Sequence, residues 1–151
     1  MQLLTRFAGL FLFTLAMGAG AQESPAGLWR SFDDITGKPQ ALVRIVLAAG
    51  EASGRIEQLF LDPAEDPNPR CVKCEGARKD QPILGMTILW GLKPTRNSDE
   101  NEYTGGEILD PDSGTVYQAI LTVVDGGKRL KVRGYFGISL FGRSQAWERV
   151  E

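Results

Sequence analysis

The stretch Leu130-Lys-Val-Arg-Gly-Tyr-Phe136 sets Leu130, Val132, Gly134 and Phe136 against Lys131, Arg133 and Tyr135. An alternation of period two is that of a β-strand with one dry and one wet face. Asp125-Gly126-Gly127 stands just before it and Gly137 just after, residues that suit tight turns. The same grammar runs through the chain. Short apolar runs at Gly27 to Phe32, Ala41 to Ala48, Ser53 to Leu61, Ile83 to Leu92, Glu102 to Leu109, Val116 to Val124, Arg129 to Phe136 and Arg143 to Arg149 read as eight strands. Asp34 to Gly37, Ala49-Gly50-Glu51, Asn97-Ser98-Asp99 and Asp110 to Gly114 supply further turns. No window sustains the spacing of a long amphipathic helix. Consecutive strands on hairpin-length links pair antiparallel, and eight of them remove their open edges by closing into an up-and-down barrel or by stacking as two sheets. The expectation is an all-β chain, with the Gly105-Gly106 pair marking a bulge or bend of the kind closure needs.

Of the 151 residues, 42% are hydrophobic and 24% charged, which fits neither disorder nor an integral membrane protein. The first residues read as a secretory signal. Arg6 supplies positive charge, Phe7 to Met17 is apolar, and Ala19-Gly20-Ala21 matches a small-x-small cleavage rule. The apolar segment falls short of the roughly 20 residues that span a bilayer. Met1–Ala21 is therefore expected to be removed, leaving one domain over Gln22–Glu151 in the periplasm or outside the cell, with no transmembrane segment. Formal charge is −2 for the whole chain and more negative without Arg6, the wrong sign for a nucleic-acid binder. The chain has no His, which removes Ser-His-Asp and Cys-His nucleophiles and His-rich zinc sites.

Pro and charge concentrate in Asp62 to Pro82, a connection too long for an ordinary hairpin, with a short helical turn expected after Pro69. It carries Cys71-Val-Lys-Cys74. In an oxidising compartment two thiols three positions apart form a disulfide by default. Thiol-disulfide chemistry needs a CxxC that opens a helix, and metal binding needs more ligands than two thiolates; both readings stay open behind the first. Asp110, Asp112 and Gly114 faintly resemble a calcium loop, but Leu121 stands where the bidentate Glu belongs, so a hairpin turn is the better reading. Many carboxylate pairs exist and no motif selects one for glycoside chemistry. No catalytic residue, metal ligand or cofactor is assigned.

Trp29, Trp90, Tyr117, Arg133 and Tyr135 are the candidate ligand-binding residues: aromatic side chains on strands either fill a core or line a cavity. Small residues near Gly85, Gly105 and Gly134 would make room inside, and Arg44, Arg133 or Arg143 would meet an acidic group at an open mouth.

The opening Gly27-Leu-Trp29, then GGEILDPDSGTVY (Gly105 to Tyr117), LKVRGYFG (Leu130 to Gly137), the closing GRSQAWER (Gly142 to Arg149) and CVKC followed by Ile83-Leu84-Gly85 resemble the bacterial domain of unknown function 2147. The resemblance covers the mature chain and implies an exported, lipocalin-like β-barrel of unassigned activity, with no catalytic residues to carry over. Gly27-x-Trp29 is also similar to the first-strand signature of lipocalins, which implies a Trp closing the barrel floor beneath an Arg of the last strand, here Arg143 or Arg149. Three functions follow in order. The first is an exported module holding a small apolar or amphipathic ligand. Next comes an envelope interaction protein with a filled barrel, docking through Ile83 to Leu92 or the charged loop. Last is an enzyme, either a CxxC thiol oxidoreductase or a carboxylate-dependent hydrolase.

Overall fold

A computed structural model describes residues 24–96 and 101–151. The expected signal segment and the Asn97-Ser98-Asp99 turn lie outside the described residues. Eight antiparallel strands in chain order close into one barrel: β1 (Gly27–Phe32), β2 (Pro39–Ala48), β3 (Glu51–Leu59), β4 (Thr87–Pro94), β5 (Glu102–Asp110), β6 (Thr115–Val124), β7 (Arg129–Tyr135) and β8 (Gly142–Arg149). Each strand pairs with its neighbours in sequence. The seam is made by β1 and β8, where Trp29 is opposite Arg149 and Arg30 opposite Glu148. Closure gives every strand a neighbour on both sides, which is the physical reason a meander of short ribbons takes this shape. Among the described residues no helix is long and apolar enough to cross a membrane.

Glycines permit the curvature at two places where other residues would not fit. Gly105 has φ +77° and opens the bulge in β5, while an added Cβ on Gly106 would overlap the Trp90 carbonyl oxygen and the Leu92 side chain. At Gly27, φ is +142°, and a Cβ there would overlap the Glu151 carbonyl oxygen and the Arg149 guanidinium.

The expected fourth strand, Ile83 to Leu92, is divided. Gly85 is in a positive-φ conformation, the Gly85 N–H donates to the Ile56 carbonyl, and β4 begins only at Thr87. Ile83 and Met86 are buried, as are Ile88, Leu89 and Leu92, so this run is not the exposed apolar strand expected of a docking surface; of its large apolar side chains only Leu84 stays well exposed. The cover comes from the chain itself. Residues 60–86 leave the sheet and carry Cys71, Cys74, Ile83 and Met86 into one core cluster with Ile88 and Leu109. This excursion is a small hairpin in its own right. Arg70 bridges Pro82, the Cys71 N–H donates to the Gln81 carbonyl at 2.9 Å, and the Ile83 N–H donates to the Pro69 carbonyl at 3.0 Å. The helical turn expected after Pro69 is a single 3-10 turn at Gly76–Arg78.

Candidate functional site

Inward-facing side chains fall into two levels. Toward the chain ends, Trp29, Ile45, Leu92, Leu121, Leu130 and Trp147 meet across the axis and are essentially fully buried. Toward the other end the same inward rows continue in smaller residues: Ser31 beyond Trp29, Val43 and Ala41 beyond Ile45, Val132 and Gly134 beyond Leu130. Large side chains fill the lower half at roughly 1.5 to 3 kcal/mol of burial each. Small ones leave the upper half hollow.

The hollow is a chamber of about 810 Å³ that opens between the β1–β2, β3–β4, β5–β6 and β7–β8 connections. Its walls are Val43, Ile56, Ile108, Tyr117 and Val132, and it reaches beneath the excursion to Pro69, Ile83 and Ile88. Gly134 widens it, since a Cβ there would meet Tyr117 and Ile108 at 3.4 and 3.5 Å. At the mouth the Tyr117 and Phe136 rings pack at 4.6 Å between centroids, tilted by 43°. Ile35, Leu140 and Phe141 stand exposed on the surrounding loops.

The floor is sealed by charge held without a carboxylate. Arg149 lies over the Trp29 ring, 4.1 Å from its centroid. Its guanidinium donates to the Ala26 carbonyl at 2.8 Å, the Ser24 carbonyl at 2.6 Å and the Gly127 carbonyl. Trp29 Nε1 donates to the Pro25 carbonyl at 2.7 Å. Burial lowers the Arg149 pKa, and the ring and three carbonyls hold the charge in place.

The mouth is acidic. Asp33, Asp34, Glu65, Asp66, Asp110 and Asp112 line the chamber against one base, Arg143, whose Nε is 2.8 Å from Asp34 Oδ2. Partial burial raises the Asp112 pKa, and the neighbouring Asp110, Glu65 and Asp33 raise it further while Lys73 opposes them. Asp33 is shifted the other way, chiefly by the Thr36 N–H and hydroxyl that donate to its Oδ1 at 2.6 and 2.7 Å. Asp110 shapes its own hairpin, accepting from the Asp112 N–H at 3.0 Å and the Ser113 hydroxyl at 2.8 Å. DPDSGT is thus a turn, as its chemistry suggests. Among the described residues no group of three or more His, Cys, Asp or Glu is arranged to hold a metal ion.

Of the residues singled out from sequence, Tyr117 and Tyr135 border the chamber. Trp29 belongs to the floor below it. Trp90 is on the outside of the barrel, where its Nε1 donates to Glu107 Oε2 at 2.8 Å and the Arg78 guanidinium covers its ring at 4.2 Å. The reason is register: Leu89 and Leu92 take the inward positions, and the bulge at Gly91, φ +72°, turns Trp90 away. Arg133 also points outward, donating to the Ser139 and Leu140 carbonyls and the Ser144 hydroxyl, and so ties down the β7–β8 loop. Arg44 is occupied outside by Glu57 and Glu151 at 3.2 and 3.1 Å. Of the three arginines expected at the mouth, Arg143 alone borders the chamber. Of the two floor candidates, Arg149 takes the role. Gly85 and Gly105 make no room inside; Gly134 does.

Cys71 and Cys74 form a disulfide with Cα atoms 5.3 Å apart, and both residues are buried. Cys71 Sγ contacts the Pro111 carbonyl oxygen at 3.1 Å, which pins the excursion against the β5–β6 hairpin. Burial shields both sulfurs from an incoming thiolate, a geometry that suits a structural bridge. Sequence reasoning missed Ile56, Ile108 and the mouth carboxylates. The shrinking inward rows were a usable signal for the first two; the carboxylates come from loops far apart in sequence.

A closed eight-stranded antiparallel barrel with a Trp–Arg floor is a lipocalin-like fold. The chain belongs to the family described as "Uncharacterized protein conserved in bacteria (DUF2147)", whose profile matches residues 27–149. Among solved structures it is similar to HP1028 from the human pathogen Helicobacter pylori, a protein described as belonging to the lipocalin family. The likeness has a TM-score of 0.68 and 14% sequence identity over 83% of this chain and 82% of that one, which establishes a shared fold. No curated protein matches this chain.

Proposed function

We propose that this protein is an exported binding module that carries a small apolar or amphipathic molecule in the upper half of its barrel, without covalent chemistry. The observation that carries the reading is the chamber of about 810 Å³. Its size lies within the roughly 300 to 1,000 Å³ of ligand pockets, and below the polar mouth Val43, Ile56, Ile108 and Val132 give it an apolar wall. Export rests on the leader-like residues Met1–Ala21, and the disulfide suits an oxidising compartment. The lipocalin-like fold supports the reading as the kind of barrel that holds ligands in its mouth.

The test is native mass spectrometry of the purified protein after incubation with an envelope lipid extract, beside a Gly134→Leu variant that fills the chamber. Added mass on the wild type and little on the variant is the expected result. Unchanged apo mass for both would count against the reading.

A second reading, docking of an envelope protein, draws on the exposed Leu140 and Phe141 of the β7–β8 loop. Size measurement with Leu140→Asp as control separates it: an assembly lost without loss of folding would favour docking.

A further inference from the structure

We propose that the chamber selects ligands bearing a positive charge: a cationic amphiphile whose apolar tail occupies the barrel and whose ammonium-type head rests among the mouth carboxylates. This rests on the carrier reading above and names the chemical class of what is carried.

Three features of one cavity carry it. The first is the charge of its lining. Six carboxylates border the chamber and the one base among them, Arg143, is already paired with Asp34 at 2.8 Å. An anionic head entering there would lose its hydration and meet like charge, whereas a cation would meet several carboxylates whose mutual repulsion it relieves. Lys38 and Lys73 stand nearby, but neither lines the chamber, and Lys38 pairs with Asp62 at 3.7 Å. The second is aromatic. Tyr117 and Phe136 pack together and both line the chamber, which puts aromatic rings, the groups that attract alkylammonium cations, beside the entrance. The third is depth. Below these groups the walls turn to Val43, Ile56, Ile108 and Val132, which offer a tail no hydrogen-bond partner and only apolar contact.

The carboxylates do not converge as a metal site does. They are dispersed around a wide opening, so a diffuse organic cation matches them better than a small hard ion. Their electrostatic effect is also what would draw such a ligand in, because a cleft lined by one sign of charge concentrates the opposite sign.

The experiment compares three probes with the same ten-carbon tail, decylamine, decanol and decanoate, by titration calorimetry near neutral pH and below their aggregation concentrations. Decylamine is expected to bind about fivefold or more tighter than decanol, with decanoate weakest. The gap should shrink in molar salt, where the screening length falls to roughly 3 Å. An Asp112→Asn variant should narrow the amine-to-alcohol ratio about twofold, and Asp112→Asn combined with Asp66→Asn further. The Asn oxygen keeps the acceptor that Gln40 Nε2 reaches at 3.3 Å, and the turn itself is held by Asp110, which the substitution leaves in place. Equal affinities, or a preference for decanoate, would overturn the charge inference and leave the carrier reading standing. Binding of none of the three would remove both.

Discussion

The guanidinium of Arg149 lies 4.1 Å from the centre of the Trp29 ring, and the two residues are also register partners where the last strand meets the first. One pair therefore seals the barrel along its seam and across its floor. It explains the glycine two positions before the tryptophan as well, because any Cβ on Gly27 would occupy the space taken by Arg149.

Arg149→Ala should cost about 2 to 3 kcal/mol, since it strips a cation from the ring and leaves three carbonyls without their charged donor. Arg149→Lys should recover only part of this, because an ammonium cannot reach all three carbonyls in the planar fork geometry. Urea unfolding of both variants beside the wild type measures it. A loss below about 0.5 kcal/mol for Arg149→Ala would show that the pair is peripheral.

Replacing both Cys71 and Cys74 with Ser should destabilise the protein by roughly 2 kcal/mol, the chain-entropy value for so short a loop. In the wild type the buried sulfurs should resist mild reductant until denaturant opens the excursion. Thiol titration with and without denaturant checks this, and rapid reduction of the folded protein would speak for a redox role.

Trp90→Phe should leave ligand uptake unchanged, because the indole is outside the barrel between Arg78 and Glu107. Its cost should be confined to stability, about 0.5 to 1 kcal/mol for one hydrogen bond and one ring contact at the surface. Uptake by this variant that falls as far as that of Gly134→Leu would place Trp90 in the binding site.

The Asp112 carboxyl is raised above the ordinary aspartate value, so its ionised form is less favourable in the folded protein than in the unfolded chain. Its contribution to stability is present at low pH and declines as pH rises through the raised value. Asp112→Asn should therefore be slightly more stable than wild type near neutrality, within about 0.5 kcal/mol because solvent screens these groups. The difference should vanish in acid below the ordinary aspartate range. Thermal melts across that window read it, and a variant less stable at neutrality would reverse the sign.

Alternation in Leu130 to Phe136 and the turn residues between strands were enough to read eight antiparallel strands, because a period of two and a tight turn are local properties. Where the reading slipped, a non-local partner was responsible. Ile83 and Met86 look like strand residues but are buried by the excursion that carries them. Trp90 reads as an inward aromatic until the bulge at Gly91 is known. The site was less legible. Height along the barrel decides whether an inward residue fills or lines, and Trp29 and Tyr117 differ in that respect alone. Ser31 beyond Trp29, and Gly134 beyond Leu130, mark the hollow level in the sequence. The acidic mouth draws on three separate loops, and only closure of the barrel assembles it.

The central claim, that the upper half of the barrel holds the ligand, is tested most directly by methyl NMR of the protein titrated with decanol. Shifts should concentrate on Val43, Ile56, Ile108 and Val132 around the chamber and spare Ile45, Leu121 and Leu130 in the packed floor. Shifts confined to surface methyls such as those of Leu84 and Leu140, or none at all, would contradict it.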